Sequence, residues 1–373
     1  MFTTKETSST RETYPFANSI RFISMMGIVW AHVPITNSRY TFDTFDSLLG
    51  YGYIRSIFQF AVICFFMISG YLTKDKIDGK DSFTYFRKRI NSTLGPFLFV
   101  ILLTFLLQLM LALTLHRERL VDILTLNYLV EIIVSSPLWF MVNLYLGLTI
   151  FVLFRKYIKS LWFGSVFLIV TLGISWLTVY NTHFLISHIY TFVGFVFYLW
   201  LGNMIWRYNL IAKFNQIPLP VLAFLAIVFY ILDSLEFYHL YQTNKVSFDS
   251  VLRISNQAYS VIMFILFTKI FADNNSFRVL VSRHEGFAIY LYHGFLLSFL
   301  IVLEHRIYNR YFVELYSNNF FYLILIQIIK FLFIYATTLC LVKFLLNNNL
   351  GFFSKEDKMR VLFKKVSYKL KMF

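Results

Sequence analysis

The sequence predicts an all-α protein, a polytopic membrane helix bundle of about ten transmembrane helices with both termini cytoplasmic. Three observations carry this. The 373 residues are 58% hydrophobic and only 14% charged, with a mean hydropathy of +0.65, whereas about a quarter of the residues of a soluble domain are charged. Apolar runs recur from Ile20 to Leu346 with no long polar stretch between them, which makes one membrane domain a simpler reading than two or three soluble ones. The basic residues gather in alternate loops between those runs.

Because a helix needs about 20 residues to cross the hydrocarbon core, spans are predicted near 18–37, 53–73, 94–115, 138–154, 161–180, 188–206, 218–236, 254–272, 286–303 and 321–346. The fourth is short and the last is long. The last also places Lys330 within apolar sequence, where a charge is costly unless it faces protein or water. The chain thus divides into a cytoplasmic N-terminal segment 1–17, a membrane domain 18–346 and a basic cytoplasmic tail 347–373. The first apolar stretch follows a polar Met1–Asn18 segment and lacks a small-residue cleavage pattern, so it is expected to stay as a membrane helix.

The direction of the bundle comes from the charges. With the N-terminus inside, one set of loops holds Lys74 to Arg89, Arg155 to Lys159, Arg207, Lys213, Lys269, Arg278 and Arg283, and the tail adds seven more Lys and Arg. The opposite loops hold only Arg39, Arg55, Arg117, Arg119, Lys245, Arg253, Arg306 and Arg310. The positive-inside rule places both termini in the cytoplasm.

This distribution also disposes of nucleic acid as a partner. A formal net charge of +15 raises that possibility, but the surplus is what membrane topology requires and forms no separate stripe interleaved with stacking aromatics. The aromatic content of 20% is expected mostly at lipid-facing and interfacial positions. Cys64 and Cys340 each sit inside an apolar run without ligand-type spacing, so they are read as buried packing residues and no metal site is suggested. No internal repeat and no pair of broken helices of the transporter type is visible.

Arg21 and His32 stand eleven residues apart in the first span. At 100° and 1.5 Å per residue they lie within about 20° of the same face and roughly 16 Å apart along the axis. Arg21 reads either as an anchor snorkelling to anionic headgroups or as a ligand-binding group. His32 reads either as a hydrogen-bonding packing residue or as a functional one, and a titratable group buried in a bundle is a functional candidate by default. Pro34 lacks the N–H that would bond the Trp30 carbonyl, so the helix is predicted to fray or kink around His32. Irregular backbone at that depth is tolerated only in protein or beside a wet cavity.

Three later segments stand out from the apolar sequence around them. Phe65-Phe66-Met67-Ile68-Ser69-Gly70-Tyr71-Leu72 contains a small Ser-Gly pair that lets another helix approach closely. Pro137-Leu138-Trp139-Phe140 opens the fourth span and on its own reads as an interfacial aromatic anchor. Ala288-Ile289-Tyr290-Leu291-Tyr292-His293-Gly294 places a second histidine inside the ninth span.

In this order these segments resemble the acyltransferase-3 family of bacterial membrane acyltransferases in its stand-alone form. The resemblance rests on Arg21 to His32, on FFMISGYL from Phe65 to Leu72, on Leu138-Trp139-Phe140 and on Ile289-Tyr290-Leu291-Tyr292-His293, and it spans residues 18 to about 300. It departs at Arg87-Lys88-Arg89-Ile90-Asn91, which lacks the second arginine of the family's R-x-x-R arrangement, and at Gly294, which stands where a proline commonly follows the late histidine.

The resemblance implies O-acyl transfer in the bacterial cytoplasmic membrane, usually of acetyl from acetyl-CoA, onto a hydroxyl of a surface polysaccharide or lipid-linked sugar. Acyl-CoA would be a co-substrate, with no permanently bound cofactor. The charges fit that chemistry: Arg21 with Arg87, Lys88 and Arg89 could hold coenzyme A phosphates, and His32 could receive the thioester end as general base or be acylated itself as nucleophile. Ser69 and His293 are supporting candidates that orient the base or the acyl oxygen, with plain packing as the other reading of Ser69. A rival class is an exporter of polysaccharide or lipid-linked glycan with His32, His293 and Lys330 lining a pathway. A structural subunit of a glycan-synthesis complex is a third.

Overall fold

A computed structural model describes residues 15–33, 45–74, 76–77, 81–115, 120–135, 137–181, 193–243, 247–272, 283–311, 320–348 and 350. The described residues form helices α1 (Pro15–His32), α2 (Phe45–Ser56), α3 (Ala61–Thr73), α4 (Ser82–Leu115), α5 (Leu120–Ile123), α6 (Leu126–Ser135), α7 (Trp139–Leu153), α8 (Leu161–Ser175), α9 (Val196–Arg207), α10 (Leu210–Phe214), α11 (Leu219–Gln242), α12 (Ile254–Ile270), α13 (Arg283–Tyr311) and α14 (Phe320–Asn347). No strand occurs among them. This is an all-α membrane helix bundle, and every predicted span overlaps a helix. Five described segments, 48–73, 82–114, 161–180, 219–242 and 324–347, are long and apolar enough to cross a membrane by length and composition. Pro34, the acidic and basic residues before position 15 and the predicted tail beyond 350 lie outside the described residues.

Two helices differ from their predicted spans in ways that matter. The 34 residues of α4 extend about 51 Å at 1.5 Å per residue, well beyond a hydrocarbon core of about 30 Å. The excess lies before the apolar stretch and carries Arg87, Lys88 and Arg89. The predicted single span 53–73 is instead two helices, interrupted by turns at 57–60 with no Gly or Pro to announce them.

Where an α-helix stops, carbonyls lose their i+4 donors, and at this break side chains from other helices replace them. The Tyr53 carbonyl accepts from the Tyr230 hydroxyl at 2.9 Å, Ile54 from the Trp30 indole at 3.0 Å, Ile57 from the Tyr259 hydroxyl at 3.3 Å and Gln59 from the Asn256 amide at 3.4 Å. Such a break persists in a membrane only because it is enclosed by protein.

The core is built on α3, which packs against α1, α9 and α12. Its crossing with α9 depends on two glycines. A Cβ at Gly70 would fall inside the Leu199 carbonyl, and one at Gly202 inside the Met67 carbonyl, so the two backbones touch directly. The small pair predicted at Ser69-Gly70 is thus a helix crossing. Gly70→Ala is expected to lower stability by about 3 kcal/mol or more, the upper end of overpacking effects, because the obstacle is backbone. Gly173→Ala is the control, since nothing lies within 4 Å of a Cβ there. Thermal melts of the detergent-purified variants give the comparison, and equal melting temperatures would refute the crossing.

Burial corrects three expectations. Many aromatics are interior: Phe60, Phe66, Phe151, Phe195, Phe237, Phe264, Tyr290 and Tyr292 are among the bundle's largest fully buried side chains. Helices in lipid gain from close packing rather than from escape from water, so large rigid rings fill the interior as readily as they belt its surface. Cys64 is buried and lies 3.3 Å from the Ser260 carbonyl, but Cys340 is exposed on the outer face of α14, where lipid accepts an apolar thiol as well as protein does.

Arg253, predicted as an outer-loop charge, is fully buried. Its guanidinium binds both carboxylate oxygens of buried Asp233 at 2.9 and 2.7 Å, the Phe248 carbonyl at 2.7 Å and the Ser56 hydroxyl at 3.4 Å. Glu236 extends this cluster, bonding the Ser255 hydroxyl and its amide (3.0 Å) and the hydroxyl of Tyr180, which ends a π-helical turn (Trp176–Tyr180) after α8.

Candidate functional site

The first helix ends at His32, the position where Pro34 was predicted to fray it. The imidazole Nδ1 lies 2.7 Å from the Ile28 carbonyl oxygen, one turn back. A carbonyl can only accept, so Nδ1 carries a proton. On α13, His293 is fully buried and repeats the arrangement: its Nδ1 is 2.5 Å from the Tyr290 carbonyl, and its Nε2 has no hydrogen-bond partner among the described residues. The two rings face each other with centroids 5.2 Å apart and planes inclined at 57°. Two histidines distant in sequence thus form one pair, each held at Nδ1 by its own helix.

The remaining sequence motifs converge on the same pair. The Tyr290 hydroxyl, one turn before His293, donates to the Pro137 carbonyl at 2.6 Å, and its ring packs edge-on against Phe140 at 5.6 Å. Phe140 meets Phe65 and Phe66 at 5.4 and 4.7 Å, and Phe66 stacks on Phe195 at 4.9 Å. Trp139 reaches the same Phe195 at 5.5 Å. Gly294 faces Pro137, whose Cγ would lie 3.1 Å from a Cβ at that position. The residues between Pro137 and Phe140 are therefore an interior wedge joining α3, α7, α9 and α13 rather than a surface anchor.

Three side chains secure the end of α1 that carries His32. The Trp30 indole bonds the Ile54 carbonyl at 3.0 Å. Arg55, counted from the sequence as a loop charge, donates to the Ala31 carbonyl and pairs with Asp249 at 3.5 Å. From α14 the Gln327 amide nitrogen donates to the Trp30 carbonyl at 3.2 Å and the Val33 carbonyl at 3.3 Å. Arg55 and Gln327 were both missed. A single glutamine in the apolar run 321–346 was the visible signal for one, and an arginine next to a span end was the signal for the other.

The other predicted site residues are placed less closely. Arg21 is half-buried on α1, three turns before His32 on the same uninterrupted helix. Arg87 and Lys88 are exposed on the first turns of α4, whereas Arg89 is half-buried and donates to the Tyr85 hydroxyl at 3.2 Å. The Lys76 ammonium stands 5.6 Å from the Tyr85 ring centroid. Ser69 is buried on α3. Lys330 is half-buried on α14.

The arrangement sets a pair of imidazoles at the end of a helix that bears a cation about 16 Å away. A family model described as an acyltransferase domain matches residues 14–346, nearly the whole chain. No curated protein and no solved structure matches the chain.

Proposed function

Since the chain belongs to the acyltransferase-3 family, we propose that it is a membrane O-acyltransferase moving an acyl group, acetyl by preference, from acyl-CoA to a hydroxyl of a surface polysaccharide or lipid-linked sugar. The carrying observation is the pairing of His32 with His293, rings 5.2 Å apart, with His32 Nδ1 held by the Ile28 carbonyl on the helix that also bears Arg21. In this reading the acceptor oxygen attacks the thioester carbonyl carbon while its proton passes to His32 Nε2. Collapse of the adduct breaks the carbon–sulfur bond, and the departing thiolate takes that proton to leave as free coenzyme A. The products are the O-acyl ester and coenzyme A, and the base is restored.

The donor would enter from the cytoplasmic face of a bacterial inner membrane. Arg21 and the basic start of α4 are suited to the phosphates through charge-assisted hydrogen bonds. A pantetheine arm spans the roughly 16 Å to His32. Of the α4 bases, Arg89 is the better placed, being turned toward protein while Arg87 and Lys88 face outward.

Release of free thiol on mixing the purified protein, acetyl-CoA and membrane extract tests the reading, together with a mass search for an acetyl increment on surface glycans that disappears with the gene. An exporter would release no coenzyme A. Arg21→Ala is expected to raise the KM for acetyl-CoA about tenfold, the equivalent of one lost charge-assisted contact of about 1.4 kcal/mol, with a smaller change in kcat. An unchanged donor KM would return Arg21 to the role of membrane anchor.

A further inference from the structure

Two buried hydrogen-bond acceptors near the end of α1 have no donor among the described residues. Gln327 is fully buried, and both hydrogens of its amide nitrogen are directed to the Trp30 and Val33 carbonyls. The amide therefore cannot be flipped, because the reverse orientation would set its oxygen against two carbonyl oxygens. Its Oε1 is left buried with no partner among the described residues. His293 Nε2 is buried and unpartnered for the same kind of reason, its other nitrogen being committed to the Tyr290 carbonyl. The two come from α14 and α13, which pack on each other and on α1.

A buried acceptor without a donor is unfavourable, and two of them beside a catalytic base call for a ligand that brings O–H or N–H groups. An acyl carbonyl, itself only an acceptor, does not satisfy them. This removes the acyl oxygen as the partner of His293 in this tautomer. The position selects between the two remaining sources of donors, the acceptor's hydroxyls and the amides of pantetheine. Gln327 grips Val33, the residue beyond His32, so it lies past the base as seen from Arg21. A donor molecule bound at Arg21 and ending at His32 does not reach it.

We infer that Gln327 Oε1 and His293 Nε2 form the acceptor subsite, each accepting a hydrogen bond from a hydroxyl of a polyhydroxylated acceptor, and so select for sugars over monohydric alcohols. This rests on the acyl-transfer reading above.

The test uses the full-length protein in nanodiscs with acetyl-CoA and, as surrogate acceptors, methyl β-glucoside and its monodeoxy analogues. With the unchanged protein, loss of one particular hydroxyl is expected to raise the acceptor KM about tenfold. With Gln327→Met the glucoside and that analogue should become equivalent, while the KM for acetyl-CoA stays within about twofold. The comparison between two acceptors on one variant is insensitive to a general loss of active protein.

A discrimination that survives Gln327→Met overturns the inference. So does a rise in the acetyl-CoA KM alone, which would assign the orphan acceptors to pantetheine amides. If the unchanged protein transfers to none of these acceptors, the same comparison is made by ligand-detected NMR of glycoside binding without acetyl-CoA. Hydroxyl-dependent binding lost in Gln327→Met upholds the subsite while the transfer reading fails, and its absence refutes the subsite.

Discussion

His32→Ala is expected to lower acyl transfer by about 10²–10⁴-fold, the usual contribution of a positioned general base, while the protein still inserts and purifies as a folded bundle. The fold should tolerate the change because His32 is the last residue of α1 and only half-buried, and because Trp30, Arg55 and Gln327 hold that helix end through other residues. What is lost is the imidazole. Single-turnover measurement of coenzyme A release, with the melting temperature recorded alongside, separates the two effects. A trapped acyl-enzyme in the unchanged protein would show His32 acting as nucleophile, and near-normal transfer by the alanine variant would sink both roles.

The second large effect concerns stability. Arg253→Met should cost about 3–5 kcal/mol, since it strands the Asp233 carboxylate in the interior without its counter-ion. Both side chains are fully buried, and the guanidinium donates to four atoms: both Asp233 carboxylate oxygens, the Phe248 carbonyl and the Ser56 hydroxyl. The double replacement Arg253→Met with Asp233→Leu should recover most of that loss, because a buried pair is often no better than apolar residues of similar volume. Unfolding by a denaturing detergent, followed by loss of helical signal for the two single variants and the pair, reads this directly. Additive losses would mean that the pair is not coupled.

Much of the bundle was legible because lipid imposes a coarse constraint: apolar runs of sufficient length must be helices, and helices lie on all ten predicted spans. The site was legible as a set of motifs but not as a place. Nothing in spacing joins His32 to His293, since their meeting depends on how α1 packs against α13. The Ser-Gly pair was read correctly as a close approach, although its partner, Gly202, lies far along the chain.

The misses share one cause, which is that a polar residue's role depends on a group elsewhere. Arg253 counts as a loop charge until Asp233 is found beside it. The donor deficit at Pro34 was foreseeable, but Gln327, which serves the Trp30 carbonyl from almost three hundred residues away, was not. Arg87, Lys88 and Arg89 are equivalent in sequence, and only helical phase turns Arg89 inward.

The interruption between α2 and α3 bears on how the protein is made. Its freed carbonyls are served by Trp30, which precedes it, but also by Tyr230, Asn256 and Tyr259, which the ribosome delivers roughly two hundred residues later. Until those residues enter the membrane, an opened helix would leave bare carbonyls facing lipid, at several kcal/mol apiece. The break within 45–73 is therefore expected to settle only once α11 and α12 are in place. The end of α1, which Arg55 binds at the Ala31 carbonyl, is thus tied through this break to residues made late in translation.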